Sequence, residues 1–97
     1  MSIGVLVDVY LRPGGVEVWL PIFEERFRTS RQADGCEEIY IGLDRDDPLH
    51  LVLVEKWASV ESHARNRARV VAEPVPDEAQ ALLAGEMKRT FVDDLGI

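Results

Sequence analysis

Six consecutive residues, Leu49-His50-Leu51-Val52-Leu53-Val54, are apolar apart from His50, and they leave the chain few ways to fold. A run this short, set off by Asp46-Asp47-Pro48, reads as a strand buried on both faces. Strand side chains alternate, so Leu51, Leu53, Glu55 and Trp57 share one face, and His50 lies on the opposite one. Ser59 follows as an N-cap, and Glu61 places a negative charge where a helix start favours it. Strand, indole and a His-bearing helix therefore meet at one corner. A pocket is expected there.

The other elements take their places around this corner. Ile3, Val5, Val7, Val9 and Leu11 alternate with Gly4, Leu6, Asp8, Tyr10 and Arg12, a strand with one apolar face and one mixed face. The mixed face is expected to line any cavity. Pro13-Gly14-Gly15 turns the chain into a helix over residues 16–29, with Val16, Trp19, Leu20, Phe23 and Phe27 at helical spacing. Pro21 predicts a late start near Val18 or Trp19, or a kink, because an interior proline removes a hydrogen bond. Cys36 to Leu43 reads as a second strand, and Asp44 to Pro48 as a polar hairpin connection. The helix from Ser59 is predicted to run to about Val71. Asp77 and Gln80 form a capping-box pattern, opening a short helix through Ala79, Leu82, Leu83 and Met87. Lys88 to Asp94 is the last strand.

The order β-α-β-β-α-α-β is close to the ferredoxin-like arrangement, with its second helical region split. The predicted fold class is α+β: one domain over residues 1–97, a four-stranded antiparallel sheet with helices on one face. Val52 and Val54 oppose Leu51 and Leu53, so both faces of the sheet need cover. A second copy of the chain is the economical cover for the face without helices, and a chain of 97 residues gains from the added core. A homodimer is expected.

A formal net charge of -7 argues against a nucleic-acid backbone as partner. Arg65, Arg67 and Arg69 are read as a solvated helix face. No segment approaches the ~20 apolar residues of a membrane span, and the N-terminus lacks a signal peptide's basic and apolar regions. With one cysteine, Cys36, read as a small buried hydrophobe, the chain suits a reducing, cytoplasmic setting. Two histidines on separate elements make no recognisable metal-ligand set, and the aspartates of 44–47 read as a solvated turn.

Pro13-Gly14 after the first strand, Ala33-Asp34-Gly35-Cys36, the Asp47-Pro48 hairpin and Glu55-Lys56-Trp57-Ala58-Ser59-Val60-Glu61 together resemble the antibiotic biosynthesis monooxygenase superfamily. The resemblance covers nearly the whole chain. It implies a dimeric α+β barrel, in which two ferredoxin-like sheets pack face to face. The superfamily includes cofactor-independent oxygenases of aromatic polyketides, haem-degrading enzymes and isomerases. The polyketide oxygenases pair a strand Trp with an Asn four residues earlier and a Tyr on the following helix. Trp57 matches the Trp, whereas Leu53 holds the Asn position and His63 the Tyr position. The haem-degrading branch uses a first-strand Asn, a helix Trp and a later helix His, and this chain carries Asp8, Asn66 and no later His.

Oxygenation without a cofactor needs a substrate held as its phenolate or enolate, and a dry pocket with a base or donors that stabilise this anion. His63 titrates near neutrality and is the candidate base. Asn66, three residues on, is a candidate oxyanion donor, and Trp57 an aromatic wall. Tyr10 and Tyr40 are further donors if their strands face the helices. Leu53 and Glu55 complete the expected lining, with Glu55 expected to bond to an Arg or to backbone. The expected partner is a hydrophobic aromatic or polyketide-type small molecule, with no cofactor and no metal. A ligand-binding or structural dimer without catalysis, and a cyclase or isomerase, are the alternative readings.

Overall fold

The computed structural model describes residues 1–97. Its elements are β1 (Ile3–Tyr10), α1 (Gly15–Ser30), β2 (Cys36–Leu43), β3 (His50–Trp57), α2 (Val60–Val71), α3 (Asp77–Ala81) and β4 (Lys88–Asp93). All strand pairings are antiparallel, in the order β2-β3-β1-β4. This is the predicted ferredoxin-like α+β arrangement, with the chain's two most apolar strands at the centre.

The alternation of β1 decides which face meets the helices. Ile3, Val5, Val7, Val9 and Leu11 are each at most 3% exposed, and they form the core with Trp19, Phe23, Phe27, Leu51, Leu53 and Trp57. Burying a branched aliphatic side chain is worth roughly 1.5–3 kcal/mol, so this one face supplies much of the fold's stability. The mixed face of β1 consequently points away from the helices. The expectation that it lines the cavity is corrected.

Helix α1 begins at Gly15, not at Val18 or Trp19, and continues through Pro21 to Ser30. Gly14, at φ 85°, reverses the chain directly after β1. Pro21 and Glu17 both lie on the exposed side of α1, so water reaches the carbonyl that the proline leaves without its helical partner. Ser59 caps α2: its hydroxyl accepts from the Ser62 amide, and the Ser62 hydroxyl accepts from the Ser59 amide. Gly35, at φ 87°, packs against Ser62, and its carbonyl accepts from the Ala58 amide at 2.7 Å. The predicted corner thus forms from three chain segments.

The expected capping box at Asp77 does not form. Pro76 is the N-cap, Asp77 lies inside the first turn, and the Gln80 side chain donates instead to the Val75 carbonyl. Helix α3 stops at Ala81 because the following backbone is claimed by the end of β1. The Arg12 amide donates to Leu82, and the Ala84 amide donates to Tyr10. Leu83 therefore bridges Leu11, and Met87 reaches the core from an extended segment.

On the helix-free face, His50 lies between two carboxylates, with Nδ1 2.8 Å from Asp44 and Nε2 2.8 Å from Asp8. Tyr10 stacks on its ring at 4.3 Å. A carboxylate at each nitrogen favours the imidazolium. The Asp44 hydrogen bond, followed by that of Asp8, raises its pKa above the ordinary value. A raised folded-state pKa adds stability that is complete below the unfolded value and lost as pH rises through the folded one. The stability deficit of His50→Gln is therefore expected to be greatest below the ordinary histidine pKa and to shrink as pH rises through the raised folded-state value in urea titrations. A deficit independent of pH would show that the imidazolium is not what stabilises this cluster.

Candidate functional site

A cavity of about 480 Å³ lies between the helix-facing side of the sheet and the helices. Each wall follows from the local geometry of its element. From the sheet come Val7, Leu53, Glu55 and Arg89. Val7 pairs with both Leu53 and Arg89, and Val5 with Glu55, so all four project from one face. From α1 come Trp19, Phe23, Arg26, Phe27 and Ser30, a stripe at helical spacing. From α2 come His63, Asn66, Arg67 and Val70, at intervals that share one helix face. Val75, Leu83 and Met87 close a further side.

His63 is 7% exposed. Its ring stands edge-on between Trp57 at 5.8 Å and Phe91 at 5.4 Å. Neither ring nitrogen bonds within the chain, and neither is sealed from solvent. Burial pushes its pKa down and the charges of Arg89 and Arg67 add to this, while Glu55 opposes them. The neutral imidazole, able to accept a proton, is therefore favoured.

Of the seven candidate residues, His63, Asn66, Leu53 and Glu55 line the cavity. Trp57 does not. It is fully buried, on the helix-facing side as expected, but it pairs with Ile3 and Cys36 at the strand's end. That row lies beneath the start of α2, so the indole supports the wall from behind. Its N–H donates to the Glu55 carboxylate at 2.9 Å, the partner expected to be an Arg or backbone. Tyr10 and Tyr40 are 44% and 48% exposed on the helix-free face, because Tyr10 alternates with Val9 and Tyr40 pairs with Val54. Their assignment as donors to this cavity is corrected.

Asn66 is engaged in a tether between helices. Its amide donates to Ser30 at 3.2 Å, and its carbonyl accepts from Arg69 at 2.9 Å. Arg69 also donates to Ser30 and to Glu73, and Glu73 in turn pairs with Arg26 of α1 at 3.5 Å. The expectation that Arg65, Arg67 and Arg69 form a solvated face holds only for Arg65, which approaches Asp34 at 3.8 Å on the surface. The sequence reading missed Arg26, Arg67 and Arg89. Arg67 was accessible as the residue one turn after His63, and Arg89 as the strand position two before Phe91.

The family model for antibiotic biosynthesis monooxygenase matches residues 2–74. The chain belongs to this family. No curated protein matches the sequence. Among solved structures, Rv0793 from Mycobacterium tuberculosis aligns with a TM-score of 0.83 at 19% identity, covering 100% of this chain and 98% of that one. PA3566 from Pseudomonas aeruginosa aligns at 0.80 and 19% identity, covering 98% and 95%. A mutant of SnoaB from Streptomyces nogalater, described as a cofactor-independent oxygenase, aligns at 0.80 and 12% identity, covering 99% and 95%. At these identities the likeness establishes the family's fold. No helix is long and apolar enough to cross a membrane, and no three His, Cys, Asp or Glu side chains gather as a metal site would require.

Proposed function

We propose that this family member is a cofactor-independent monooxygenase acting on a flat, hydrophobic molecule of aromatic or polyketide type. The observation that carries the reading is the placement of His63, with both ring nitrogens free, in the wall of an aromatic-lined cavity, where burial lowers its pKa. It takes the proton of a phenol or enol, and the resulting anion gives one electron to dioxygen. Recombination forms a carbon–oxygen bond to a peroxide. The peroxide takes up a proton and loses water as a carbonyl forms, so a CH2 group and O2 become C=O and H2O. Similarity to the cofactor-independent oxygenase SnoaB supports this chemistry.

Leu53 favours a second reading, a ligand-binding protein of the same fold, because it places an aliphatic group in the cavity wall where the polyketide oxygenases carry an amide donor. Oxygen uptake with 1,8-dihydroxyanthrone, related anthrones and naphthols separates the two. Conversion to the quinone well above spontaneous autoxidation, with one O2 consumed per substrate, is expected. Binding without acceleration would establish the second reading.

We also infer that the active form is a homodimer joined through the helix-free face. In support, Leu6, Val52 and Val54 lie only partly covered at the centre of that face, flanked by Tyr40 and Val92. The free cysteine supports a reducing, cytoplasmic setting.

A further inference from the structure

Four arginines reach the region of the cavity, and they divide into two kinds. Arg26 and Arg69 are both paired with Glu73. Arg67 and Arg89 have no hydrogen bond or ion pair within the chain, although both line the cavity and both are partly buried. They come from facing walls: Arg67 one turn beyond His63 on α2, and Arg89 beside Val7 on the sheet. Burial disfavours both charges, and the nearby charge of Arg89 further disfavours that of Arg67.

The acidic groups nearby do not balance them. The Glu55 carboxylate attracts both but accepts the Trp57 indole hydrogen at 2.9 Å and forms no ion pair with either. Glu86 is exposed at the edge of the cavity. With Glu73 held by Arg26 and Arg69 and Glu86 in solvent, the two partly buried cations Arg67 and Arg89 face the single carboxylate of Glu55. The α1 wall is aromatic, with Trp19, Phe23 and Phe27.

We propose that the molecule bound here is an acid, a flat apolar body against the α1 aromatics with a carboxylate received between Arg67 and Arg89. The inference rests on reading the cavity as a small-molecule site and specifies its ligand. A planar guanidinium matches a carboxylate in a forked, two-bond geometry, and two of them neutralise it without drawing on His63. The acid thereby orients the body so that its reactive carbon lies near the imidazole.

The test compares 2-naphthoate with its uncharged isostere 2-naphthamide by titration calorimetry. The naphthoate is expected to bind the native protein about tenfold or more tightly than the amide, as expected for charge-assisted hydrogen bonds. Arg67→Gln and Arg89→Gln should each weaken naphthoate binding roughly tenfold and leave amide binding within about twofold. Arg67→Lys and Arg89→Lys should keep part of the preference, and Glu55→Gln should strengthen naphthoate binding. Equal affinity for the two ligands, binding of neither, or a preference that survives both glutamine variants would overturn the proposal. Because the readout is binding, a failure of oxygen uptake would refute the monooxygenase reading and leave this one standing.

Discussion

Replacing His63 by Ala is expected to lower turnover roughly a hundredfold or more, as loss of a positioned general base does. The substitution should leave the fold intact. The imidazole makes no hydrogen bond within the chain, and the space it vacates joins a cavity that is already present. The pH profile distinguishes a base from a mere wall. Burial holds the folded-state pKa of His63 below its ordinary value. Activity of the native protein should therefore fall only as pH drops through that lowered value, and be level above it until another group titrates. In His63→Ala this acid limb should disappear. The same depression has a consequence for stability. Below the unfolded-state pKa the unfolded chain takes up a proton that the folded chain resists, so stability falls with acidity until the folded histidine also protonates. Unchanged turnover in His63→Ala, or an acid limb that survives it, would remove His63 from the mechanism.

Much of the fold was readable because its signals are local and periodic. The β1 alternation, the Ser59 cap and the doubly apolar run of β3 each fix an element without knowledge of its neighbours. What the sequence could not supply was the choice of face. Val5, Val7 and Val9 alternate with Leu6, Asp8 and Tyr10, and only the pairing of Val7 with Leu53 and Arg89 shows which set meets the helices. Tyr10 and Tyr40 were misplaced for that reason. Trp57 was placed on the correct face, but its distance from the cavity depends on a row of paired residues across all four strands, which period-two reasoning cannot see. Arg67 was obscured by Arg65 and Arg69, whose even spacing suggested a fan of solvated charges. The i,i+4 relation to His63 was the stronger signal. The shortening of α3 was illegible because long-range backbone bonds from Arg12 and Ala84 end it.

Val54→Asp is expected to abolish the dimer. Val54 lies between Tyr40 and Leu6 on the helix-free face, with Val52 two residues before it on the same strand. Leu6, Val52 and Val54 remain half-covered in the single chain, so apposing a second sheet removes their exposed area from water. A carboxylate at the centre of that contact would be desolvated opposite its own copy, with no cation in the same row, a penalty of several kcal/mol per ion. A two-fold interface applies the substitution twice. The native protein should therefore sediment at about twice its 10.9 kDa chain mass at micromolar concentration, and the variant at the chain mass. Thermal stability of the variant should fall and become independent of protein concentration, because association no longer contributes. A native protein that is monomeric at micromolar concentration, or a variant that stays dimeric, would refute the interface. The cavity provides an internal control. Its lining residues project from the opposite side of the sheet, so naphthoate binding should persist in the monomeric variant. Loss of binding together with the dimer would mean that the partner holds β3 and β4 in the alignment that brings Glu55 and Arg89 to the cavity. The helix-free face would then be part of the site's construction as well as its cover.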